Sequence, residues 1–223
     1  MIPRELVGVA EVPGGPPLRL VRHGDDFMIM LDRSELMSSR MSGSEAALGS
    51  MTCQRLRSPA GARLLIGGYG MGFTLRAVLA ELGPGARIAV AELVPGIIAW
   101  ARGPMTAIAK GCLDDPRVEI IIDDVAKLID DADEVYDAIL LDVDNGPDGL
   151  TRHANDGLYS AAGLQSARAA LRPGGILAIW SAGADAAFTR RLKHAGFAVD
   201  EVRVRARENG KGPTHTLWFA RVS

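Results

Sequence analysis

The stretch Leu64–Arg76, LLIGGYGMGFTLR, decides the fold. It opens as a short apolar run, passes through Gly67, Gly68, Gly70 and Gly72, and continues into Phe73-Thr74-Leu75-Arg76, the start of a helical pattern. A strand that turns on glycines straight into a helix is the first unit of a parallel α/β sheet. Without Cβ atoms such a loop turns tightly and lets a ligand approach its backbone, while the helix behind it offers unpaired N–H groups. Gly67, Gly68, Tyr69, Gly70 and Gly72 are therefore candidate cofactor-binding residues. The spacing is Gly-x-Gly-x-Gly. The dinucleotide fingerprint would need a glycine where the sequence has Phe73, which disfavours a nicotinamide-dependent reductase. The triphosphate-cradling GxxxxGK[ST] pattern is absent.

Outward from that loop, apolar runs alternate with helix-like segments. Strands are expected at Arg63–Gly67, Arg87–Ala91, Val118–Ile122, Ala138–Asp142 and Gly175–Trp180. Helices are expected over Phe73–Leu82, Pro95–Arg102, Val125–Ile129, Gly157–Leu171 and Ala184–Ala195. Continuous runs such as Ala138-Ile139-Leu140-Leu141 suit parallel strands covered on both faces. Two more strands, near Ala198–Arg205 and Thr214–Arg221, have only Ala206–Pro213 between them. That is too short for a crossover helix, so they should pair antiparallel. The expected fold is α/β: a Rossmann-like, doubly wound, mostly parallel sheet ending in an antiparallel hairpin. Ahead of it, Leu6–Val12, Leu18–His23 and Phe27–Asp32 read as a small antiparallel β meander separated by Pro/Gly and Gly-Asp-Asp turns. Ser42-x-x-Glu45 has capping-box spacing for a helix that follows. The expected division is 1–57 for the meander and leading helix, and 58–223 for the cofactor-binding domain.

The chain has 223 residues, 48% hydrophobic and 23% charged, enough to bury a core without disulfides or metal. A net charge of −2 disfavours a nucleic-acid or membrane-surface partner. No apolar run reaches the roughly 18 residues of a membrane helix, and the N-terminus is too weakly apolar for a secretory signal. Cys53 and Cys112 stand far apart and read as buried free thiols. A cytoplasmic protein is the expectation.

In an open parallel sheet, ligands bind beyond the carboxyl ends of the strands. Glu92 ends the second strand, where an acid can accept both hydrogen bonds of a ribose diol. Asp123, Asp124 and Val125 end the third; Asp124 could accept from an adenine amino group, and either Asp could instead cap the following helix. Asp142 ends the strongly apolar fourth strand, where partial desolvation favours reactivity. Carboxylates at three successive strand ends repel polyphosphate and welcome a sulfonium or an amine. The ligand class that fits is S-adenosylmethionine or a close relative.

These segments resemble the spermidine synthase-like branch of the class I S-adenosylmethionine-dependent transferase fold. GGYGMGFTLRAVL resembles that family's glycine loop, and DPRVEIIIDDVAKLI (Asp114–Ile129) its Asp-Pro-Arg-Val strand with the cofactor-binding acid at Asp124. YDAILLDVDNGPDG resembles the stretch whose last acid serves in catalysis, which falls on Asp142; Glu92 stands where the ribose-binding acid belongs. The N-terminal meander fits the small β-domain that precedes the sheet in those enzymes. The polyamine synthases have a second Asp three residues after the catalytic one, where this chain has Asn145, with Asp144 one place earlier. Their glycine loop carries an Asp near the aminopropyl donor, where this chain reads Tyr69-Gly70-Met71.

The resemblance and these departures together give the functional expectation: a transferase moving a methyl group from S-adenosylmethionine to a small-molecule acceptor. The alternative is aminopropyl transfer from decarboxylated S-adenosylmethionine, as in polyamine synthases. A non-catalytic adenosyl-ligand binder is a second alternative. Asp142, Asp144 and His153 are the candidate catalytic residues, and Asn145 and Tyr159 the candidate acceptor contacts. Arg40 is a candidate partner for the donor's carboxylate, since Arg makes a directional two-point contact with that group. His23, His194 and His215 have no ligand spacing with one another, so no metal is expected. A homodimer is allowed by this reading.

Overall fold

The computed structural model describes residues 3–143 and 157–222. Two sheets are present: a four-stranded antiparallel one and a seven-stranded, mostly parallel one. The first is the N-terminal meander, β1 (Glu5–Ala10), β2 (Leu18–His23), β3 (Asp26–Leu31) and β4 (Ser34–Ser38), paired in chain order. The sequence reading expects only three strands here. The fourth follows a tight turn without glycine, in which Asp32 itself takes the left-handed conformation (φ 51) that short polar side chains tolerate.

The large sheet holds β5 (Arg63–Gly67), β6 (Arg87–Ala91), β7 (Val118–Ile121), β8 (Tyr136–Leu141), β9 (Leu171–Ser181), β10 (Phe197–Arg205) and β11 (Thr214–Val222). Its order is β10-β11-β9-β8-β5-β6-β7. Strands β5 to β9 run parallel; β11 pairs antiparallel with both β9 and β10, the terminal hairpin expected from the short connection. The chain leaves β5 toward β6 and β7, then returns to place β8 on the other side of β5. The switch point lies between β5 and β8, where Gly67 pairs with Leu141.

The helices are α1 (Gly43–Arg55), α2 (Phe73–Glu81), α3 (Pro95–Arg102), α4 (Thr106–Ala109), α5 (Val125–Asp130), α6 (Ala161–Ala170) and α7 (Ala186–His194). They cover both faces of the sheet. One core joins Leu48 of α1, Leu75 and Val78 of α2 and Ile97 of α3 to Leu64, Ile66 and Leu140, and it continues into Leu20 and Ile29 of the small sheet. The other joins Ile129, Leu164, Phe188 and Leu192 of α5 to α7 to Leu65, Ile139 and Leu177. Alternate side chains of each buried strand thus feed opposite cores, which is why these strands read as continuous apolar runs. No helix is long and apolar enough to cross a membrane among the described residues.

Helix α1 follows the meander in sequence but packs on α2 and on β8 to β11. The α1–α2 approach is close at Gly49, where a Cβ would stand 2.6 Å from the Thr74 carbonyl oxygen. The expected capping box does not form. The Ser42 hydroxyl donates to Glu208 (3.2 Å) and makes no cap bond, which leaves the Glu45 side chain free to turn elsewhere. Cys53 and Cys112 are buried free thiols.

Candidate active site

A cavity of about 300 Å³ opens over the carboxyl ends of β5 to β9, roofed by the small sheet. Gly68 and Gly70 form its floor, Glu92 and Asp123 to Val125 one side, and Asp142 and Val143 the other. Of the candidates from the sequence, these are brought together. Gly67 lies just beneath, as the last residue of β5, and Gly72 caps α2. Gly70 holds φ at +56, a left-handed conformation that strains a side chain, and a Cβ there would also push aside the end of Met37, 2.5 Å away.

Glu92 is only 5% exposed, and both its oxygens are engaged: Oε2 accepts from the Tyr69 N–H (2.9 Å) and Oε1 from the Val94 N–H (2.8 Å). Burial raises its pKa, and these backbone amides oppose the rise. The acid therefore shapes the glycine loop from within, and it also lines the cavity. Asp124 is the N-cap of α5, accepting from the Ala126 N–H (2.9 Å). Asp123 is tied to Lys127 (2.8 Å), which lowers its pKa.

Asp142 stands one residue past β8. Its N–H donates to the Gly67 carbonyl (3.1 Å), and its Oδ2 accepts from the Thr74 hydroxyl (3.0 Å). Burial pushes its pKa up to about 6 despite that hydrogen bond. A carboxylate so placed is charged at neutral pH yet close to its titration point, the range suited to a general base.

Three candidates lie elsewhere. Arg40 is exposed, paired with Asp26 (2.8 Å), and does not line the cavity. Tyr69 contributes its backbone, but its ring is buried with the hydroxyl near Cys112 Sγ (3.5 Å). Tyr159 packs edge-on against Phe188, and its hydroxyl donates to the Val143 carbonyl (3.4 Å), behind the cavity wall rather than on it. Asp144, Asn145 and His153 fall outside the described residues.

Other residues reach the cavity without having been expected there. Glu45, at the start of α1, lines it beside Asp142. Trp180, near the end of β9, and His215, at the start of β11, form a further wall. Trp180 Nε1 donates to the Ser44 hydroxyl (3.0 Å), which lies 2.8 Å from His215 Nδ1, and the two rings meet edge-on at 4.7 Å. The strand-end rule that selected Asp142 also selects Trp180. His215 is reached only through the register that pairs its neighbour Thr216 with Ser181.

Six carboxylates line the cavity (Glu35, Glu45, Glu92, Asp123, Asp124 and Asp142), and no Lys or Arg does so among the described residues. Such a cavity suits a cation. Among the described residues it offers no Lys or Arg to a carboxylate-bearing ligand.

Comparison with known proteins agrees with this geometry. Residues 55–188 match the spermine/spermidine synthase domain, and the chain belongs to that family. It is 30% identical over 195 residues to the polyamine aminopropyltransferase of Mycobacterium tuberculosis (strain ATCC 25618 / H37Rv), covering 83% of this chain and 36% of that one. It is 31% identical over 121 residues to the polyamine aminopropyltransferase of Korarchaeum cryptofilum, covering 54% of this chain and 36% of that one. The chain thus spans little more than a third of the length of these relatives. In structure it is similar to spermidine synthase from Thermotoga maritima, with a TM-score of 0.76 at 18% identity over 98% of this chain and 72% of that one. It is equally similar to a spermidine synthase in complex with the transition-state analogue AdoDATO, with a TM-score of 0.77 at 18% identity and the same coverage.

Proposed function

We propose that this chain is an aminopropyltransferase of the polyamine synthase type, which moves an aminopropyl group from decarboxylated S-adenosylmethionine to a small amine. The observation that carries this reading is the cavity lined by carboxylates without Lys or Arg among the described residues. The intact methyl donor bears a carboxylate that would face those acids unpaired, at a cost of a buried, unmatched charge. Arg40, the one residue expected to pair it, is held at the surface by Asp26. The decarboxylated donor is a pure cation. Aminopropyl transfer therefore replaces methyl transfer, the first expectation from the sequence, and it agrees with the activity named for the curated relatives.

In this reading the glycine loop and Glu92 seat the ribose, and Asp124 and Val125 the adenine. Asp142 stands at the acceptor. The acceptor's ammonium gives a proton to the Asp142 carboxylate, and the freed nitrogen lone pair attacks the methylene next to the sulfonium. The C–N bond forms as the C–S bond breaks. The bonding pair goes to sulfur, leaving a neutral adenosyl thioether. No redox change occurs and no metal is needed for the balance. Thr74 holds Asp142 in place through the hydroxyl bond, and alignment supplies most of the rate. Incubating the protein with the decarboxylated donor and 1,4-diaminobutane tests this directly. Mass spectrometry should find the diamine heavier by one aminopropyl group together with the thioether; a methylated amine formed from S-adenosylmethionine instead would overturn the reading.

A further inference from the structure

Glu45 enters the cavity from the first turn of α1, opposite the strand that delivers Asp142. The two are linked at Thr74, whose hydroxyl is 3.0 Å from Asp142 Oδ2 and 3.2 Å from the Glu45 carbonyl oxygen. The close helix crossing at Gly49, one turn further along α1, fixes that separation. Among the described residues the Glu45 carboxyl has no hydrogen-bond donor and no ion pair, whereas Asp142 has the Thr74 hydroxyl.

Among the described residues no Lys or Arg lines the cavity to neutralise the pair. Glu35 comes from β4, Glu92 from the end of β6 and Asp123 and Asp124 from the end of β7, all acids. His215 comes from β11 and is 8% exposed. The Ser44 hydroxyl oxygen accepts from Trp180 Nε1 (3.0 Å) and lies 2.8 Å from His215 Nδ1, so His215 is engaged with Ser44. Burial lowers the His215 pKa, which favours the uncharged ring.

Two carboxyls in one cavity, without a Lys or Arg partner among the described residues, favour a shared proton or a bound cation over two bare charges. We propose that Glu45 is a specificity-determining residue of this site, forming with Asp142 a two-acid clamp on the acceptor's ammonium, and that the ammonium displaces a proton the pair carries when no acceptor is bound. The proton resides on Glu45, the member without a donor. Burial and the Asp142 charge both raise the Glu45 pKa well above its ordinary value. Asp142, kept charged by Thr74, remains the base. This inference rests on the aminopropyl-transfer reading, since it assumes an amine acceptor.

The test is calorimetry of 1,4-diaminobutane binding at pH 7 to protein saturated with 5′-methylthioadenosine, in two buffers of different ionisation enthalpy. The wild-type protein should release close to one proton per amine bound. E45Q should release none and bind the diamine about tenfold or more weakly, as loss of a charged hydrogen bond implies. E45D should recover part of the release. Proton release in E45Q equal to wild type, or undiminished affinity, would overturn the role of Glu45. Absence of proton release in the wild-type protein would overturn it without recourse to any variant. If the wild-type protein took the nucleoside but no diamine, the amine-acceptor reading itself would fall, and the clamp with it.

Discussion

At the scale of single residues, Asp142 is the proposed base because three effects converge on it. The strand delivers it to the switch point, burial raises its pKa to about 6, and Thr74 holds one oxygen. Asp142→Asn keeps the shape and removes the base, so turnover should fall about 100- to 10,000-fold with little change in donor affinity. Single-turnover rates and donor titration measure the two separately. For the wild-type protein, the rate should fall as the pH drops below about 6, where Asp142 becomes protonated. Glu92 differs in kind, because its oxygens are already committed to the Tyr69 and Val94 amides. Glu92→Gln puts an amide where one of those N–H groups needs an acceptor. It should lower donor affinity by about 1–3 kcal/mol and also lower the melting temperature, whereas a ribose contact alone would leave the melting temperature unchanged.

At the scale of elements, legibility followed locality. The strand runs around Gly67, Ala91 and Leu141 are readable because burial on both faces removes polar residues from them, and the ends of the last two locate Glu92 and Asp142. β4 was not readable, since its turn relies on Asp32 rather than on glycine. Glu45 was misread for a related reason. Its spacing from Ser42 is a local signal for a cap, while its partner Asp142 lies far off in sequence and is brought near only by α1 crossing α2. That crossing is testable. Gly49→Ala would drive a methyl group to 2.6 Å from the Thr74 carbonyl, so the protein should lose about 1–3 kcal/mol in denaturant unfolding, with amine binding weakened more than donor binding.

At the scale of the whole molecule, the sheet order, the roof of the small sheet and the end of β9 produce a cavity whose charge is of one sign among the described residues. Such a site is held against its own repulsion by the rest of the fold. Because Glu45 and Asp142 have raised pKa values, the folded protein binds more protons than the unfolded chain over the range from ordinary carboxylate values upward. Their contribution to stability is therefore full at low pH and is lost as the pH rises through about 6 and beyond. Melting curves of the wild-type protein and E45Q should accordingly diverge from pH 5 to pH 8, with the variant the more stable at the upper end. The central claim is that this cavity admits a donor cation without a carboxylate. Calorimetric titration of the protein with decarboxylated S-adenosylmethionine and S-adenosylmethionine, side by side in one buffer, tests it most directly. The decarboxylated form should bind at least about tenfold more tightly, the cost of one unpaired charge; equal or tighter binding of the intact methyl donor would contradict a cavity that disfavours a carboxylate.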